Sequence, residues 1–277
     1  MTATALAEAG FQRLLELLRG LHSVAVACSG GLDSSLLLAA ARLALDDRVL
    51  ALTAVTPYMV NGEIADARAL TAQLGVRHRV VELQMPAAIA HNPPDRCYLC
   101  KQVLFAELKS IATEEGFAWL ADGSNQDDLA DYRPGMRALR ELAIRSPLLE
   151  TALGKAEVRR YARALNLSVW DKPASACLLT RLPPGAEVRP ERLRRVEAAE
   201  TALRALGFGT VRVRCHDDLA RIEMDRAEHP RLLDETIANQ VTAALTDCGF
   251  HHITLDLQGY RMGSFNVPIL EKGSGAP

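Results

Sequence analysis

Two periods of apolar residues alternate along the first two thirds of the chain. Leu6, Leu14, Leu15, Leu17 and Leu18 fall at helical spacing over 6–19, and His22 to Cys28 then reads as a short buried strand. A glycine-rich turn follows, and an apolar helix is predicted over 34–45. The same order returns as a strand at 48–55, a helix at 61–74 and a strand at 77–83. A helix over about 95–115 then precedes a strand from Phe117 to Ala121. Strands that alternate with helices predict a mainly parallel, doubly wound α/β sheet covered on both faces. In such a sheet, ligand loops collect beyond the C-terminal strand ends. Ser29–Ser35, Thr53–Thr56 and Asp122–Asp128 all take that position.

A helix from Lys155 to Leu165 leads into an irregular stretch, Trp170–Gly185, which contains Pro173, Pro183 and Pro184. Beyond it the pattern predicts a charged helix (190–206), strands near 210–215 and 219–224, a helix over 230–247 and a strand at 251–257. The two early strands are expected to form a hairpin within a smaller C-terminal α+β domain. The expected organisation is therefore a nucleotide-binding domain over 1–170, a linker loop over 171–185 and a second domain over 186–277. The tail 272–277 reads as disordered.

Charge narrows the function. With 32 basic and 34 acidic residues, the formal net charge of −2 gives no general attraction to nucleic acid. No apolar run approaches membrane-spanning length, and no signal-like segment opens the chain, so a cytoplasmic enzyme is the expectation. Six cysteines (28, 97, 100, 177, 215 and 248) are too few, in 277 residues, for a secreted disulfide scaffold.

The turn Ser29-Gly30-Gly31-Leu32-Asp33-Ser34-Ser35 joins a strand to a helix, where free backbone N–H groups and the helix dipole favour phosphate. Gly30 and Gly31 let the backbone bend close to a ligand. Ser29, Ser34 and Ser35 offer hydroxyl donors, and Asp33 makes most sense with Mg²⁺ between it and a pyrophosphate. A GxxxxGK[ST] loop is absent, so Walker-type γ-phosphate transfer is not supported. Asp122-Gly123-Ser124-Asn125, followed by Asp127, Asp128 and Asp131, is either an acidic surface turn or a second nucleotide-side segment.

Asn92-Pro93-Pro94-Asp95 reads as a helix start with polar capping residues. Cys97 and Cys100 would then stand at i and i+3 on one face. The helix N-terminus, with Arg96 or Lys101, would favour their thiolates. The pair could share a metal or cluster, or could simply pack; no second CxxC exists to complete a structural zinc site. Cys177 lies among Pro173, Ala174 and Ala176, which leave its sulfur sterically open, with Arg181 near to stabilise a thiolate. Cys28, Cys215 and Cys248 read as structural. Arg212 and Arg214 alternate on one strand face, giving two guanidiniums suited to a phosphate, or else solvated surface charges.

The loop SGGLDSS resembles the signature of the PP-loop ATP pyrophosphatases, which cleave ATP between the α- and β-phosphates. PDRCYLCK (94–101), DGSNQDDLADYRPG (122–135), KPASACLLTRLPPG (172–185), RVRCHDDLARIE (212–223) and GYRMGSFN (259–266) follow it in order. Together they resemble the LarE family over nearly the whole chain. That resemblance implies an ATP-dependent sulfur transferase of nickel-pincer nucleotide synthesis. Such an enzyme adenylates a pyridinium dicarboxylate mononucleotide and forms thiocarboxylates. ATP and Mg²⁺ would lie with Ser29, Gly30, Gly31, Asp33, Ser34, Ser35, Thr53, Asp122, Gly123 and Asn125. The resemblance further implies a [4Fe-4S] cluster on Cys97, Cys100 and Cys177, and substrate phosphate or subunit contacts at Arg212, Arg214 and Glu200. It also implies a homo-oligomer. The competing expectations are a PP-loop tRNA thiolase, an amide-forming synthetase and a non-catalytic nucleotide sensor.

Overall fold

The computed structural model describes residues 2–130, 133–173 and 176–261. The expected disordered tail, Ser264 and Asp131 lie outside them. Two compact units divide the chain: Met1–Ala88 with Asp95–Ser175, and Ile89–Pro94 with Ala176–Pro277.

After a short helical segment at Thr2–Leu6, the first unit has helix α1 (Ala9–Gly20) and strand β1 (Val24–Ala27), followed by α2 (Leu32–Leu45), β2 (Val49–Val55), α3 (Asn61–Leu74) and β3 (Arg77–Glu82). Then come α4 (Arg96–Glu114), β4 (Leu120–Ala121), α5 (Gly135–Glu141) and α6 (Lys155–Ala164). All pairings are parallel, in the order β3-β2-β1-β4, with Val24 opposite Val49, Ala25 opposite Leu120 and Leu50 opposite Arg77. Both faces are covered, as the unbroken apolar runs required. Val24, Val26, Val49 and Ala51 pack with Phe11, Leu14, Leu36 and Tyr161 on one side. Ala25, Leu50 and Leu52, one residue out of phase, pack with Phe105, Leu108, Ile111 and Leu139 on the other. Each large side chain so buried contributes about 1.5–3 kcal/mol.

Strand β4 is shorter than the expected 117–121. Gly116, at φ +83°, closes α4, and the Phe117 N–H donates to Ala112 O, which takes this stretch out of the ladder. Because the chain returns from β3 to the far side of β1, the strand order reverses between β1 and β4. Ligand loops converge at such a switch point. The glycine turn follows β1 and the Asp122 segment follows β4.

In the second unit, α7 (Pro190–Ala205) precedes β5 (Val211–His216), β6 (Leu219–Met224), α8 (Glu235–Asp247) and β7 (His252–Leu255). β5 and β6 form the expected antiparallel hairpin, turned by Asp217 at φ +54°, and β7 adds parallel to β6. The helix expected over 230–247 is two. Asp234 is extended and its carboxylate accepts from the N–H groups of Thr236 and Ile237, starting α8 afresh after a short turn at His229–Leu232.

Asn92 is not the helix cap it resembles. It is wholly buried at φ +45°, and its Nδ2 donates to Leu179 O, Leu182 O and Pro183 O at 2.9–3.2 Å. Segment 89–94 is thereby knit into the second unit, with the Gly185 N–H donating to Asn92 O and the Val188 N–H to Ala90 O. Helix α4 starts at Arg96, and Asp95 before it makes no side-chain cap.

Candidate active site

The glycine turn is held from several sides. Gly30 has φ +72°, and a Cβ there would lie 2.3 Å from Glu63 O of α3, so only glycine fits. The loop after β4 comes as close from the opposite direction, since a Cβ on Gly123 would lie 2.7 Å from the backbone nitrogen of Ser34. Lys172 Nζ bridges Gly30 O at 3.1 Å and Asp66 at 2.5 Å, fixing the turn against α3. Lys172 carried no role in the sequence reading beyond its motif.

Not every residue expected to meet ATP is free to do so. Ser34 and Ser35 are buried, and both hydroxyls donate back to Gly31 O, at 3.2 and 2.7 Å. They shape the turn, and the exposed hydroxyl of Ser29, which accepts from the Gly31 N–H at 3.3 Å, is the one that faces solvent. Thr53 is buried inside β2. Its hydroxyl donates to Cys28 O at 2.7 Å and meets His78 Nε2 at 2.8 Å, so it braces the strand end beneath the turn instead of reaching a ligand. Asp122 is equally committed, accepting from Ser124 Oγ and Ser146 Oγ at 2.6 Å.

Asp33 differs. It is in the first turn of α2 and accepts from Lys155 Nζ at 2.5 Å and Asn125 Nδ2 at 3.2 Å. Asn125 in turn accepts from the Asp127 N–H, while Asp127 accepts from the Lys155 N–H at 2.6 Å at the start of α6. The starts of α2 and α6 and the loop after β4 are thus tied together around one carboxylate and one ammonium. Both remain partly open, with 26% of the Asp33 side chain and 30% of the Lys155 side chain exposed. Sequence patterns marked Lys155 only as a helix start. Its partner is 122 residues away, so no local signal could have assigned it.

Cys97 and Cys100 open α4 as expected. Cys100 is half-buried, with its Sγ 3.0 Å from the hydroxyl of buried Tyr58. Burial pushes its thiol up, and the Tyr58 hydrogen bond and Lys101 pull more weakly the other way. A thiolate at Cys100 is therefore not favoured as the sequence implied. All three candidate cysteines are free thiols. Among the described residues, no three His, Cys, Asp or Glu side chains are gathered around a common metal position. Cys97 and Cys100, two thiols one helical turn apart, suit iron or sulfide by their chemistry, and Cys177 is a half-buried thiol on a loop of the second unit.

In the second unit, Cys177 precedes a single 3₁₀ turn, Leu178–Arg181. Arg181 was expected to face the sulfur as a counter-charge. It is buried instead, with Nε and one terminal nitrogen forked onto Glu200 at 2.9 and 3.0 Å. Its other terminal nitrogen donates to Ala176 O at 2.5 Å and Cys177 O at 3.1 Å. It holds the backbone that carries the thiol. Glu200, expected at a substrate phosphate, is committed to this arginine and to the Val213 N–H.

Arg212 and Arg214 are not solvated surface charges. Arg214 is buried, donating to Glu223 at 2.5 Å and Thr180 O at 2.7 Å, while Arg221 meets the other Glu223 oxygen at 3.1 Å. Arg212 lies over the Tyr260 ring and donates to Val211 O at 2.8 Å. Burial, then the neighbouring Arg181 charge, lowers its pKa.

A parallel sheet with a glycine turn, an acidic helix start and a second polar loop at its switch point defines a PP-loop nucleotide enzyme. Residues 15–113 match the asparagine synthase family. Over 94% of this chain and 97% of the relative, an uncharacterized Synechocystis protein is 39% identical. A Lactiplantibacillus plantarum protein named pyridinium-3,5-bisthiocarboxylic acid mononucleotide synthase is 38% identical over 91% of this chain and 92% of its own length. An uncharacterized Methanocaldococcus jannaschii protein is 31% identical over 86% and 90%. The chain belongs to the LarE family, to which that synthase belongs. Among the described residues no helix is long and apolar enough to cross a membrane.

Proposed function

We propose that this enzyme adenylates the carboxylates of pyridinium-3,5-biscarboxylic acid mononucleotide with ATP and converts them to thiocarboxylates. The observation that carries this reading is the partly open Asp33–Lys155 pair beside the glycine turn, in a chain 38% identical to the named synthase. A carboxylate is a poor acyl donor, because oxide leaves badly; an acyl-adenylate is a good one, because AMP is its leaving group. Mg²⁺ bound to ATP would take Asp33 as a ligand, and Lys155 would then be released toward the phosphates. The N–H groups at the start of α2, with Ser29, would hold the departing pyrophosphate. Sulfur then attacks the activated carbonyl carbon and AMP departs.

Cys97, Cys100 and Cys177 would hold a [4Fe-4S] cluster, which when bound supplies the sulfide to be transferred. Arg181 keeps the Cys177 backbone in place, and Arg212 would carry the mononucleotide phosphate, with Arg214, two residues along the same strand, held by Glu223. Purified protein with ATP, Mg²⁺ and the dicarboxylate mononucleotide should release pyrophosphate and shift the compound by the mass of sulfur for oxygen. Release only with tRNA would reject the reading. Anaerobic reconstitution with iron and sulfide, read by absorbance and iron content, tests the cluster; dehydroalanine at position 177 after turnover would reject it.

A further inference from the structure

Arg96 is the first residue of α4, immediately before Cys97, and 4% of it is exposed. An arginine cannot shed its proton, so burying it unpaired is costly, and folded proteins supply such a charge with a partner. Elsewhere among the described residues they do. Arg181 has Glu200, Arg214 has Glu223, Asp128 has Arg133, and Asp122 has two serine hydroxyls. The Nε of Arg96, like those of Arg195, Arg214 and Arg221, is buried without an acceptor, but those three have carboxylate or carbonyl partners on their terminal nitrogens and no such partner is found for Arg96 among the described residues. The start of a 19-residue helix adds further unsatisfied N–H groups and the positive end of its dipole. A side chain in the first turn of a helix leans back toward its N-terminus, so the guanidinium and the free N–H groups of Arg96 and Cys97 belong to the same end of α4.

We propose that Arg96 and the first turn of α4 form a binding subsite for a carboxylate of the substrate, namely the one not reacting in a given cycle. This rests on the proposed function, which supplies a ring with two carboxylates. The chemistry favours that occupant over the other anions at hand. The triphosphate has the glycine turn. A flat guanidinium matches a flat carboxylate through two parallel hydrogen bonds. A second carboxylate one ring away from the reacting carbon also has to sit close to the sulfur donors, and Arg96 adjoins one of them in the chain. The same subsite would hold the first-formed thiocarboxylate while the second carboxylate is converted.

The test uses the full chain and Arg96→Gln and Arg96→Lys. Pyridine-3,5-dicarboxylate should raise the unfolding temperature of the wild type and bind by calorimetry. Arg96→Gln should lose this response and Arg96→Lys should keep part of it. Without ligand, Arg96→Gln should be as stable as the wild type or more so, because it removes an uncompensated buried charge. In turnover, its KM for the dicarboxylate mononucleotide should rise about 30-fold, the order set by one charge-assisted pair, with KM for ATP unchanged. Equal binding of the dicarboxylate by Arg96→Gln would overturn the proposal. So would inorganic phosphate protecting the wild type as well as the dicarboxylate does, or a ligand-free Arg96→Gln less stable than the wild type. Arg96-dependent dicarboxylate binding in a protein that releases no pyrophosphate would sink the functional reading and leave the subsite standing.

Discussion

The nucleotide end of the first unit and the arginine-rich hairpin of the second solve the same electrostatic problem in opposite ways. Around the hairpin, Arg181, Glu200, Arg214 and Glu223 are buried, and each charge has a fixed partner within 3.0 Å. At the glycine turn, Asp33 and Lys155 pair at 2.5 Å but remain about a quarter to a third exposed. A buried, mutually satisfied network gives one geometry and tolerates no loss of a member. A partly solvated pair has a weaker mutual hold and can exchange its partner for a ligand. The second unit thus holds the Cys177 loop still, while the first keeps a charge pair that a ligand can reach.

The sharpest break of this comparison is Glu223→Gln. It leaves Arg214 and Arg221 short of their shared carboxylate and should cost about 3–5 kcal/mol of stability, read by urea unfolding. A loss below about 1 kcal/mol would mean that the hairpin charges are as loosely held as the exposed ones. Asp33→Asn should show the reverse profile. Pyrophosphate release should fall about 100-fold, while stability changes by less than about 1 kcal/mol, because the pair is partly exposed. Normal release in Asp33→Asn would take this carboxylate out of the reaction.

The smallest effect concerns the brace beneath the turn. Burial, and then the charge of Arg68, lowers the pKa of His78, whose ring meets Thr53 and Thr71. The folded protein therefore binds that proton more weakly than the unfolded chain does. Its contribution is intact above the unfolded pKa near 6.5 and is lost as pH falls from there toward the lowered folded value. Unfolding temperature should decline over this window in the wild type, and less in His78→Gln. Identical profiles would dismiss the histidine as a contributor.

Much of the first unit was legible because periodicity is a local property. Val24 and Val26 face one helical layer and Ala25 the other, as an apolar strand with two covered faces demands. Gly30 was recognisable as a place of close approach, whereas the tight contact at Gly123 appears only in the packed structure. The hairpin was readable from its two short apolar runs, although its charges were not. Solvated and buried arginines look alike when they alternate along a strand, and only the carboxylate opposite reveals which they are.

The amino-acid order alone determined the layering, the loop at the switch point and the positions of the three thiols. These depend on patterns that span a few residues. What each polar group does was decided by the tertiary structure. Lys155 and Asp33 are 122 residues apart, Lys172 and Gly30 142, and Asn92 and Leu179 87. The same packing turned Thr53, Ser34 and Ser35 from ligand donors into internal braces, moved Arg181 from a thiol to a backbone, and left Arg96 enclosed without a counter-charge. A hydrogen bond needs its partner within about 3 Å, and which partner arrives there is fixed only when distant segments fold together.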